Sequence, residues 1–111
     1  MQRFVKIIEL QNNPESISGY IKVHNEIPEE IVEGIKSVGI STMDLYIFDN
    51  KVVMIMECPD NIDINEAMKK LAKLPGQEEW ERLVSTYQVC NPEDTSAEKW
   101  KEMEKIFSLP K

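Results

Sequence analysis

Residues Ile40 to Cys58 read ISTMDLYIFDNKVVMIMEC. Two β-rich runs, Ile40–Phe48 and Val52–Cys58, flank Asp49-Asn50-Lys51, a polar triplet of hairpin-turn composition. Val52 to Cys58 is apolar except for Glu57, as expected of a strand covered on both faces. An antiparallel hairpin therefore sits in the middle of the chain.

On its N-terminal side, Gly39 is a good helix stop. Before it, Pro28-Glu29-Glu30 starts a helix carrying Ile31, Val32, Ile35 and Val38. An earlier helix runs from Pro14 to about Asn25, with Asn13 as cap and Ile17, Tyr20, Ile21 and His24 at helical spacing. Arg3 to Leu10 (RFVKIIEL) alternates with apolar residues on both sides, and reads as another inner strand.

On the C-terminal side, Pro59-Asp60-Asn61 breaks the hairpin. Asp63 or Asn65 caps a helix to about Lys73, and Pro75-Gly76 ends it. A further helix runs from Gln77 to about Val84. After the polar loop 91–97, a short helix over Glu98–Lys105 and a last strand in Ile106-Phe107-Ser108-Leu109-Pro110 are expected. The order is βαββαβ, with doubled helices. It predicts a single α+β domain over residues 1–111, a ferredoxin-like split βαβ with a four-stranded antiparallel sheet and helices on one face. The other face needs cover, and a second copy of the chain is the expected one.

Composition removes several function classes. With 13 basic against 20 acidic residues and a net charge of −7, no basic face for nucleic acid or anionic membrane is expected. No apolar run spans a bilayer, and no secretory leader is legible. Two cysteines outside any CxxC pattern, with one histidine, cannot build a standard zinc site. Reduced thiols and a cytoplasmic location follow as expectations. There is no GxGxxG, P-loop, HExxH or GxSxG.

What remains is His24, the single histidine, four residues after Tyr20 on one helix face. The dipole at a helix C-terminus favours imidazolium, which suits a general acid. The blander alternative is an exposed capping histidine beside a packing tyrosine. Trp80, among Glu78, Glu79 and Glu81, is either a core anchor or a stacking platform for a sugar ring. Trp100 reads as packing alone, and Met43 as a core residue of a strand.

The ordered set Tyr20-x-x-x-His24-Asn25, Pro28-Glu29, Gly39, Tyr46, Trp80 after Pro75-Gly76, Asn91-Pro92 and the tail Ile106 to Pro110 resembles the L-rhamnose mutarotase family. The resemblance runs from Arg3 to Pro110. It implies a dimeric ferredoxin-like α/β-barrel, no cofactor, and interconversion of the anomers of a 6-deoxyhexose. It places His24 at the family's proton donor and Tyr20 at a sugar-contacting tyrosine. Met43 stands where the family has an aromatic, and Glu79-Trp80 where it has paired tryptophans. Those departures direct attention to L-fucose beside L-rhamnose, with Glu79 as an acceptor for a sugar hydroxyl. A cofactor-free monooxygenase and a non-catalytic sugar- or partner-binding module share the architecture and stand as alternatives.

Overall fold

The computed structural model describes residues 1–91 and 93–110. Pro92, one of the residues behind the resemblance, lies outside the described residues. In chain order the elements are β1 (Gln2–Glu9), α1 (Pro14–Asn25), α2 (Glu29–Ser37), β2 (Thr42–Phe48), β3 (Lys51–Cys58), α3 (Ile64–Ala72), α4 (Gln77–Ser85), α5 (Ser96–Lys99) and β4 (Lys101–Glu102). The sheet order is β2-β3-β1-β4, antiparallel throughout. Both strands expected to be inner are inner.

Local chemistry sets the element ends. The Asn13 side chain accepts from Ser16 N and caps α1. Asp63 caps α3 by accepting from Asn65 N and Glu66 N. In the hairpin, Asp49 takes a left-handed φ of 54°, and buried Asn50 exchanges bonds with Leu10: Leu10 N to Asn50 O at 2.7 Å, and Asn50 Nδ2 to Leu10 O at 3.1 Å. The turn is thereby tied to the end of β1.

Register divides the sheet into two faces. Val52, Met54, Met56 and Cys58 point into the helices, where they meet Ile8, Leu10, Tyr20, Met68, Leu71 and Val84. Val5, Ile7, Val53 and Ile55 alternate with them and point away from the helices. The helices therefore cover one face only.

Two expectations near the C-terminus are corrected. The helix stops at Lys99 rather than Lys105, because Trp100 takes extended backbone (φ −79°, ψ 134°). That turn seats Trp100 in the core, at 7 % exposure, and lets Met103 N bond Val5 O at 2.8 Å. The last strand is consequently Lys101–Glu102, paired with Ile7 and Lys6. Ile106 to Pro110 forms no strand, and Ile106 and Leu109 are exposed at 90 % and 80 %.

Gly39 follows α2 at φ +102°, and a Cβ there would lie 2.7 Å from Ile62 Cδ1. Gly39→Ala is therefore expected to lower unfolding free energy by about 1–2 kcal/mol, through left-handed strain with added crowding. Urea denaturation measures it; an unchanged midpoint would show that the turn relaxes without cost.

Candidate active site

α1 carries the first half of the site. Tyr20 is buried at 4 % exposure. The Tyr20 and His24 rings lie 4.3 Å apart, and the His24 ring meets Trp80 of α4 edge-on at 5.1 Å. All three line a narrow cavity of about 70 Å³. Beside it lies a groove of about 300 Å³ between α2 and β2 that shares His24, Ile27, Ile35, Met43 and Leu45 with it. The structure thus brings Tyr20, His24, Met43 and Trp80 to one place.

Glu79 is not brought there. It is exposed and lines a neighbouring groove with Pro28, Ile31 and Leu83, which meets the cavity only through Trp80. Glu81 lines the cavity instead, as its single carboxylate among the described residues. A larger cleft of about 370 Å³ shares Gln77 and Glu81 with the cavity but presents neither a histidine nor an aromatic ring.

The geometry fixes the His24 tautomer. Nδ1 lies 2.8 Å from Tyr20 O. A carbonyl only accepts, so Nδ1 carries hydrogen and donates. Nε2 is therefore the nitrogen left for proton exchange in the cavity. Burial holds the imidazole pKa below its ordinary value of 6.5, against smaller upward pulls from the Tyr20 carbonyl and the Glu81 carboxylate. Loss of hydration outweighs the dipole argument made from sequence, so the resting ring is neutral at pH 7.

This shift makes a stability prediction. The unfolded chain, with His24 near 6.5, binds more protons than the folded one below that pH. His24 thus contributes stability that is full above pH 6.5 and is lost as pH falls through its lower folded-state value. Urea midpoints across that range should fall less in His24→Asn than in the parent; parallel curves would refute a buried neutral imidazole.

The second half of the site is a buried network around Lys99, whose side chain is 0 % exposed. Its Nζ donates to Gln88 Oε1 at 2.8 Å and Ser85 Oγ at 3.1 Å, and sits 2.7 Å from Glu81 Oε2. The Lys99 contact fixes the Gln88 amide, because an ammonium must face the oxygen. Gln88 Nε2 then donates to the Tyr20 hydroxyl at 3.5 Å, which leaves the phenolic hydrogen free to be donated elsewhere. Burial pushes the Tyr20 pKa well up, so the hydroxyl stays un-ionised.

Glu81, Gln88 and Lys99 did not emerge as site residues from the sequence. A signal was present for two of them: Gln77, Glu81, Val84 and Gln88 recur at helical spacing along the inner side of α4 and the turn after it. Lys99 carried none.

An antiparallel sheet with a cavity-facing His–Tyr–Trp group defines a small α+β binding or isomerase domain. The chain belongs to the L-rhamnose mutarotase family, whose sequence profile matches residues 3–109. It is thus an enzyme of the sugar-anomer isomerase class, and its alternatives gain no comparable support. It is 27% identical over 111 residues to an L-fucose mutarotase of Xanthomonas campestris pv. campestris, covering 98% of this chain and 89% of that one. The crystal structure of an L-rhamnose mutarotase from Formosa agariphila superposes with a TM-score of 0.73 at 14% identity, over 98% and 99% of the two chains. An antibiotic biosynthesis monooxygenase superposes at 0.58 with 17% identity, over 96% and 99%, a likeness of fold. Among the described residues no helix is long and apolar enough to cross a membrane.

Proposed function

We propose that this chain interconverts the α and β anomers of L-fucose or L-rhamnose, with His24 as the proton donor. The observation that carries the reading is the His24 ring, with Nδ1 committed to its own helix and Nε2 left for exchange beside Tyr20 and Trp80. Opening a pyranose requires a proton at the ring oxygen and loss of one from the anomeric hydroxyl. The C1–O5 bond then breaks, C1 becomes an aldehyde, and rotation about C1–C2 precedes closure on the other face. His24 gives its proton from Nε2 to the ring oxygen and recovers it on closure. Depression of its pKa makes the imidazolium a stronger acid, although a scarcer one. Tyr20, held neutral by burial, donates its free hydrogen to a sugar oxygen. Trp80 offers an apolar ring face, and Met43 forms part of the wall.

The same reading places the chain in the cytoplasm, where Cys58 and Cys90 stay reduced. A homodimer is part of the same reading. Val5, Ile7, Val53 and Ile55 lie on the face away from the helices, with Tyr46 and Phe48 exposed at 61 % and 77 % on the same side of β2. Such a surface is apolar enough for self-association. Light scattering should give a mass near twice 12.9 kDa; a monomer at micromolar concentration would overturn the dimer.

The direct test of activity is saturation-transfer NMR of anomeric protons, with and without catalytic amounts of the protein, on L-fucose, L-rhamnose, D-galactose and D-glucose. Accelerated transfer with a 6-deoxy sugar is the expected result, and the relative rates rank the substrates. No acceleration with any of the four, from a folded protein near pH 7, would refute the proposal.

A further inference from the structure

We propose that Glu81 is the second proton-transfer group of the site, the base that takes the proton of the anomeric hydroxyl while His24 serves the ring oxygen. The assignment rests on the mutarotase reading and deepens it.

Ring opening needs an acid and a base in the same cavity, and His24 fills one role in each direction. Among the described residues lining the cavity, Glu81 supplies the single carboxylate. Its charge is felt by both Tyr20 and His24. Its environment is built, not incidental. Gln77 Nε2 donates to Oε1 at 3.2 Å, and the fully buried Lys99 ammonium sits 2.7 Å from Oε2. That last contact is an ion pair outside hydrogen-bond angles, so Oε2 is held by charge alone and accepts no hydrogen bond. A buried carboxylate oxygen with no hydrogen bond calls for an explanation, and a catalytic role supplies one.

The proton balance closes. Glu81 carboxylate takes the hydrogen of the anomeric hydroxyl as the C1–O1 bond becomes C=O. The C1–O5 electron pair leaves onto O5, which takes the proton of His24 imidazolium. The intermediate site holds neutral imidazole and carboxylic acid. On closure O5 attacks C1, returns its proton to Nε2, and O1 recovers the proton from Glu81. Nothing is consumed.

The test must separate chemistry from a merely structural counter-ion. Glu81→Gln alone strands the Lys99 charge, so the informative variant is the double substitution Glu81→Gln with Lys99→Met, which removes both charges at similar volume. Saturation transfer is measured on the folded double variant and on Lys99→Met alone, with the sugar that is turned over best by the parent, and the loss is read against Lys99→Met. The expected result is a kcat about 100-fold or more below that of Lys99→Met, with KM within about threefold of it. A further loss under tenfold in the folded protein overturns the proposal and leaves Glu81 as a counter-ion. Should the double variant fail to fold, Glu81→Asp decides. It keeps the charge and withdraws the carboxylate by one methylene, and a fall of tenfold or more is expected at unchanged melting temperature; a smaller fall overturns the proposal. Absence of anomer exchange in the parent protein would instead refute the mutarotase reading, a distinct outcome.

Discussion

Replacing His24 with asparagine is expected to slow enzyme-catalysed anomer exchange by about 10²- to 10⁴-fold, the usual worth of a positioned acid or base. Asparagine is the informative choice because its amide nitrogen falls near the position of Nδ1. It can keep the 2.8 Å bond to the Tyr20 carbonyl while Nε2 is removed. The helix end and the edge-on contact region with Trp80 are then perturbed as little as possible. The loss should appear in kcat, since the proton is delivered in the transition state and not on binding. The parent protein carries a matching signature. If His24 works as imidazolium, kcat/KM rises about tenfold for each pH unit on approaching 6.5 from the alkaline side, because the acid form has its pKa below that value. A folded His24→Asn protein with parental kcat, or a kcat/KM that falls toward pH 6.5, would refute the donor role. Saturation-transfer NMR reads both.

The sequence made the sheet legible because the sheet's constraints are local. Alternation in Arg3–Leu10, the apolar run Val52–Cys58 and the Asp49-Asn50 turn each specify pairing within short stretches, and Asn13, Asp63 and Gly39 mark helix ends by their own chemistry. The α1 half of the site was legible for the same reason, since Tyr20 and His24 lie one helical turn apart. Placing Glu79 required a rotation about α4 that neighbouring acids disguise. Glu78, Glu79 and Glu81 look alike in sequence, but Glu79 stands about 200° around the helix from Glu81 and faces away from the cavity. The short α5 departs from its composition for a different reason. Glu98 to Lys105 has helix-forming composition, but burying the Trp100 indole and pairing residues 101–103 with β1 outweigh that preference. A lysine inside the core is the least legible feature of all. Lysine is normally solvated, and only partners far away in sequence, Glu81, Ser85 and Gln88, make its burial tolerable.

That burial gives Lys99→Met an expected cost of about 3 kcal/mol of unfolding free energy. The substitution fills the same channel with an unbranched apolar side chain, so packing is nearly kept. What is lost is electrostatic. Glu81, with a side chain only 18 % exposed, loses its counter-ion and keeps only the Gln77 bond, and Gln88 Oε1 and Ser85 Oγ lose the ammonium donor. Breaking a buried pair costs about 3–5 kcal/mol, and the low end applies because Glu81 retains some contact with water. Adding Glu81→Gln should return most of that loss, to within about 1 kcal/mol of the parent, because no stranded charge remains to be desolvated. Urea unfolding of the two single variants and the double variant forms the cycle. Lys99→Met should also slow anomer exchange beyond its effect on folding. With its oxygen released, the Gln88 amide is free to turn, and the Tyr20 hydroxyl no longer has a fixed donor to hold its own hydrogen toward the sugar. If Lys99→Met unfolds at the parental urea midpoint, the ammonium is not what holds Glu81 and Gln88 in place, and the network has been misread.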